Sequence, residues 1–122
     1  MTGPVFDERD QLDTVAAALL PGERIVAVYD AVDPGAGFLG LTDLRVLLQD
    51  NVFGGNRTAL TSIPYARIDA VSVLSGRSPA GGFVPSTRIA VTAGARTYEL
   101  ALRDPARARH AHDVVLDRTV RP

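Results

Sequence analysis

Gly35-Ala36-Gly37-Phe38-Leu39-Gly40 matches the G-x-G-x-x-G pattern that holds a dinucleotide pyrophosphate. It follows an apolar run, and Phe38, Leu41, Leu44 and Leu48 would share one face of a helix beginning there. That helix is essential, because its N-terminal amides bind the phosphates. Three observations oppose it. The acid that holds the ribose belongs about 20 residues further on, and Leu60 stands there. The would-be helix carries Gly40 and Thr42 early, then the β-suited run Arg45-Val46-Leu47-Leu48-Gln49. The rest of the chain offers strands, not repeated helix–strand units. With 11 glycines in the chain, one chance match is unsurprising, and no nucleotide is expected.

Other chemistries fail for equally specific reasons. His110 and His112 are the only histidines. Two residues apart on a helix they point about 200° apart, so they cannot share a metal. The absence of cysteine excludes disulfides, thiolate metal sites and thiol nucleophiles. Ser75, Ser78 and Ser86 have no nucleophile-elbow motif around them. Glu99 is the one carboxylate in an apolar run, but strand alternation puts it on one face with Thr97 and Ala101, away from Tyr98, Leu100 and Leu102. Its face is expected to be the outer one. No catalytic residue, cofactor or metal is expected.

Composition supports a single soluble domain. The chain has 122 residues, 46% apolar and 22% charged, enough to bury roughly two-thirds of its unfolded surface. No leader peptide and no membrane-spanning run is seen, so a cytoplasmic protein is expected. All 13 basic residues are arginine, and the net charge of −1 gives no support for nucleic-acid binding. The charge is uneven. Residues 1–61 carry four arginines and nine acids, whereas residues 62–122 carry nine arginines and five acids. Such polarity could drive association between copies.

The elements follow from periodicity. Residues 1–6 are expected to be loose. Asp7 or Asp10 can cap a helix over 7–20, with Leu12, Val15, Ala16, Leu19 and Leu20 as its stripe and Pro21-Gly22 as its stop. Residues 23–32 read as a strand. Phe38 to Leu41 and Arg45 to Gln49 form a hairpin about Thr42-Asp43-Leu44, where Asp43 suits the turn. Gly54-Gly55-Asn56 reverses the chain into a strand at Thr58 to Ile63, which Pro64 ends. Strands follow at 67–75, 87–92 and 96–102, the first of them separated from the others by a long loop at 76–86. Asp104 caps a final helix to about Arg118, with Pro105 at its first position. Close strand spacing requires an antiparallel meander.

Gly22-Glu23, Leu41-Thr42-Asp43-Leu44-Arg45 and Ser62-Ile63-Pro64-Tyr65 with Ile68 occur in an order and spacing that resembles the bacterial pleckstrin-homology (PH)-like domains. The resemblance spans residues 10–118. It implies a mainly β fold (α+β), an open antiparallel barrel of about seven strands over 23–102, with an N-terminal helix and a capping helix at 104–118. It implies a non-catalytic module for binding or assembly, with protein as partner, copies of itself included. Thr42, Asp43, Arg45, Pro64 and Tyr65 match the family's motif, and Arg45 is expected in a structural ion pair. The loop used by lipid-binding relatives corresponds here to Asp30 to Gly37. It carries Asp30 and Asp33 and no arginine, so phosphoinositide binding does not carry over. Arg57, Arg67, Arg77, Phe83 and Arg88 form the candidate interaction surface. An anionic lipid surface, or a small apolar ligand in the barrel mouth, are the alternatives.

Overall fold

The computed structural model describes residues 3–53, 55, 57–74, 76, 77, 83, 84 and 87–121. Strand β1 (Val5–Phe6) leads into helix α1 (Arg9–Ala18). Strands β2 (Ile25–Asp30), β3 (Ala36–Thr42), β4 (Arg45–Phe53) and β5 (Arg57–Pro64) follow, then one 3-10 turn at Tyr65–Arg67. Next come β6 (Ala70–Val73), the short pair β7 (Gly76–Arg77) and β8 (Phe83–Val84), β9 (Arg88–Ala93), β10 (Arg96–Ala101) and helix α2 (Pro105–Val120). One sheet runs β1-β2-β3-β4-β5 and a second runs β10-β9-β6. The two sheets and α2 enclose a mainly β, open-barrel core.

Side-chain alternation explains why the β3–β4 hairpin is apolar on both faces. Ala27, Tyr29, Leu39, Leu41, Val46 and Leu48 point inward and meet Ile89 and Val91 of β9. Val28, Phe38 and Leu47, at the intervening positions, point outward and are covered by Leu12 and Val15 of α1. A sheet buried on both sides needs near-continuous hydrophobic strands. A ten-residue helix is too short to be stable alone. Burying Leu12 and Val15 contributes about 1.5–3 kcal/mol each, which holds α1 in place. At the far end of the core, Ala111 and Val115 of α2 pack against Leu102 and its neighbours and fill the barrel mouth.

Several expectations are corrected. Residues 1–6 are not wholly loose: Val5 and Phe6 pair in parallel with Ala27 and Val28. Neither Asp7 nor Asp10 caps α1. The cap position is Glu8, without a side-chain bond, and the helix ends at Ala18, ahead of Pro21-Gly22. Asp7 is drawn instead to β2, where its carboxylate accepts from the Asp30 amide at 2.9 Å. Residues 67–75 are not one strand, because the 3-10 turn takes up the chain to Arg67 and β6 begins at Ala70. The stretch at 76–86 is not wholly irregular, since Arg77 pairs with Phe83 and Gly76 with Val84. Residues 78–82, 85 and 86, like Gly54, Asn56 and Ser75, lie outside the described residues. Gly35-to-Gly40 forms a turn and the strand β3, and no helix follows it. Asp104 does cap α2, accepting from the Arg107 amide at 2.8 Å, with Pro105 at the first position.

Candidate functional site

The motif residues converge on a single buried carboxylate. Glu23 precedes β2 and its side chain is fully enclosed. Arg45, at the start of β4, meets it in two-pronged fashion: Nε donates to Oε2 and Nη2 to Oε1, both at 2.9 Å. The Thr42 hydroxyl donates to Oε2 at 2.6 Å, and the Leu20 amide donates to Oε1 at 2.9 Å. Two further guanidinium hydrogens reach the Ala18 carbonyl at the end of α1 (2.7 Å) and Ser62 Oγ on β5 (2.8 Å). Thr42 Oγ1 also accepts from the amides of Leu44 and Arg45, which closes the β3–β4 turn. Tyr65 donates its hydroxyl proton to the Thr42 carbonyl at 2.7 Å.

One carboxylate thus joins β2, β3 and β4, and through Arg45 it reaches the end of α1 and β5. Charge-assisted, two-pronged contacts of this kind are strong and geometrically specific. The bond from Arg45 chiefly holds the Glu23 carboxyl at a pKa of about 2, against the opposing effect of burial. Burial pushes the Tyr65 phenol well above its ordinary range, so it stays neutral and donates. Asp43 accepts from the Arg24 amide at 2.9 Å and ties the turn to the start of β2. Pro64 pairs with Arg45 as the last residue of β5.

The residues named as an interaction surface are dispersed. Arg57 opens β5 and Arg67 lies in the turn beyond its last residue, so the strand puts roughly 23 Å between Arg57 and Pro64, just before that turn, at about 3.3 Å per residue. Arg88 bridges Asp33 at 2.9 Å and Glu99 at 3.3 Å. Arg77 and Phe83 are placed by backbone pairing alone. Glu99 is on the exposed face of β10, and Thr97 on that face shares a hydroxyl contact of 3.0 Å with Thr92.

The charge polarity of the sequence is satisfied in part within one chain. Acids of the first half meet arginines of the second: Asp7 with Arg107 at 2.8 Å, Asp30 with Arg103 at 3.2 Å, Asp33 with Arg88, and Glu8 with Arg103. Among the described residues, Arg9, Arg24, Arg67 and Arg118 have no carboxylate within ion-pair distance, and Arg9 lies over the Phe6 ring at 4.9 Å. The other three lie toward the end of the molecule that carries the β3–β4 turn. Arg24 is bonded through its amide to Asp43, Tyr65 senses the charges of both Arg118 and Asp43, and Arg67 is two residues beyond Tyr65. Leu20 and Leu44, about half exposed, stand at the same end. Arg24 and Arg118 were not singled out from sequence, because a missing partner has no sequence signal.

His110 Nδ1 is 2.6 Å from the hydroxyl of buried Tyr29. His112 contacts Asp113 at 2.9 Å. Among the described residues no group of three or more His, Asp or Glu is placed to hold a metal ion. None of the described helices is long and apolar enough to cross a membrane.

Two solved structures share this architecture. One is a pleckstrin homology domain from Shewanella amazonensis SB2B, with a TM-score of 0.64 at 14% identity, covering 90% of this chain and 99% of that one. The other is a DUF1696 family protein with a pleckstrin-homology domain from Shewanella loihica PV-4, with a TM-score of 0.66 at 13% identity, covering 97% and 99%. No family model and no curated protein matches the sequence. The chain has the PH-like fold seen in these bacterial proteins, with the two sheets forming an open barrel capped by α2.

Proposed function

We propose that this protein is a non-catalytic binding module that associates with protein, copies of itself included. The fold is one of general binding and adaptor modules. The observation that carries self-association is on α2. Ala108, Ala111 and Val115 face the core, yet Leu116 and Val120, one turn apart, are 42% and 63% exposed on the other side. Asp113, Asp117 and Arg121 flank them. An apolar pair at this spacing with a charged border suits helix-on-helix docking. Light scattering coupled to size exclusion is expected to give a mass above the 12.9 kDa monomer at tens of micromolar. Leu116→Glu with Val120→Glu should return it to the monomer mass. A monomeric wild-type protein at that concentration would rule the association out.

A second reading, an anionic membrane surface as partner, draws on Arg24, Arg67 and Arg118 together with Leu20 and Leu44. Cations clustered near one face attract anionic lipid at about 1 kcal/mol each, and apolar side chains between them can enter the interface. Wild-type protein should float with liposomes rich in phosphatidylserine at low salt, and Arg24→Glu with Arg118→Glu should stay at the bottom of the gradient. Equal behaviour of the two proteins excludes this face.

A further inference from the structure

We propose that the open edge of β10, at Thr97 and Glu99, docks an extended peptide carrying a basic residue. This rests on the protein being a binding module and names a class of partner for it. The Leu102 amide donates to the Thr87 carbonyl at 2.8 Å, so the even-numbered residues of β10 turn their backbone groups toward β9. Ala101 turns the other way. Its amide donates to Asp33 Oδ1 at 2.6 Å and its carbonyl accepts from the Val32 amide at 2.8 Å. Thr97 and Glu99 share the direction of Ala101, and among the described residues nothing meets their outward N–H and C=O groups.

The chain itself supplies the first rung of a further strand and then leaves. Val32 and the Asp33 carboxylate satisfy Ala101. Pro34 has no amide to continue the pairing, and Gly35, at φ 78°, turns the backbone away. What remains beside Thr97 and Glu99 is a cleft of about 300 Å³. Ala36, Leu48 and Val52 contribute apolar surface to it. A row of unpaired backbone groups is a template for another strand, with neighbouring pockets for its alternate side chains.

The charge of the cleft selects among strands. Among the described residues, Asp33, Asp50 and Glu99 line it against a single arginine, Arg96. Arg88 bridges Asp33 and Glu99, and one oxygen of Asp50 accepts from the Val52 amide at 2.9 Å. The balance is acidic and favours a basic side chain on the incoming strand. A second copy paired edge to edge would bring two acidic rims together, so a basic peptide is the better occupant.

The test uses isotope-labelled full-length protein and the capped pentapeptide Val-Arg-Val-Arg-Val. In the free protein the Thr97 and Glu99 amides should exchange with solvent faster than those of Tyr98 and Leu100. Millimolar peptide should slow both by about tenfold or more. The same peptide N-methylated on alternate residues, and Val-Glu-Val-Glu-Val, should not. Glu99→Pro removes one outward amide at a position where an edge strand tolerates proline, and should abolish binding. If that variant does not fold, Glu99→Arg reads the same site through charge and should reverse the preference toward the acidic peptide. No protection with the basic peptide, or equal protection with its N-methylated form, overturns the proposal. Protection that grows with protein concentration alone also overturns it and assigns the edge to a second copy. Light scattering on the α2 variants separates the two ideas. A self-associating protein that ignores the peptide loses only the β10 site, and a monomer that binds it loses only self-association.

Discussion

Arg45→Met is expected to destabilise the protein by about 3–5 kcal/mol, the range for stranding one partner of a buried ion pair. The substitution leaves the enclosed Glu23 carboxylate without its two-pronged partner, and it frees the Ala18 carbonyl and Ser62 hydroxyl at the same time. Chemical denaturation measures the loss directly. Combining Arg45→Met with Glu23→Gln should recover part of it, because the stranded charge is then gone. Fully additive losses would show that Glu23 and Arg45 act independently, contrary to the geometry.

The same pair sets an acid limit. The Glu23 carboxyl titrates at about 2 in the folded protein and at 4.5 when unperturbed. A depressed folded-state pKa contributes stability that is complete above pH 4.5 and is lost as pH falls from there through about 2. At about 1.36 kcal/mol per pH unit that contribution is about 3 kcal/mol. Glu23→Gln should therefore flatten the stability profile between these pH values while lowering stability at neutral pH. An acid profile identical in slope to that of the wild type would contradict the assignment.

Gly40→Val is expected to destabilise by about 1–3 kcal/mol, as overpacking does in a filled core. Gly40 is at an outward position of β3, directly beneath α1. A β-carbon there would stand 3.1 Å from Val15 Cγ2 and 3.5 Å from Leu47 Cβ. Valine adds two further methyl groups to that contact, so α1 must lift or β3 must shift. Val15→Ala removes the obstructing methyls and should rescue part of the loss, a coupling that a double-mutant cycle in denaturant resolves. The last glycine of the nucleotide-like pattern therefore has a packing role: it lets a helix approach a sheet.

Local chemistry made much of this legible. Asp104 with Pro105 announced the start of α2, and the alternation around Glu99 placed it on an exposed face. The Thr42-Asp43-Leu44 turn and the strands beside it followed from side-chain period and turn residues. The short strand at Val5–Phe6 was hidden, because two residues carry no period and their pairing partner is more than 20 residues away. Asp7 looked like a helix cap because helix capping is the local option. It serves instead an amide of β2 and Arg107, 100 residues along the chain.

The candidate surfaces were less legible. Arg57, Arg67 and Arg88 looked alike in the sequence. Strand length separates the first two, and two carboxylates engage the third. The arginines without ion-pair partners, the exposed pair on α2 and the open rung on β10 are defined by what fails to meet them in space.

The sequence by itself determined most of the longer elements, the mainly β architecture and the conflict with dinucleotide binding, because side-chain period, turn chemistry and the type of residue at each spacing act locally. Only the tertiary structure decided that Gly22-Glu23, Thr42-to-Arg45 and Ser62-to-Tyr65 meet around one buried carboxylate. It also decided which charges neutralise one another and which β10 backbone groups are left open. Those outcomes depend on distances between residues far apart in the chain, and burial and pairing energies act across those distances alone.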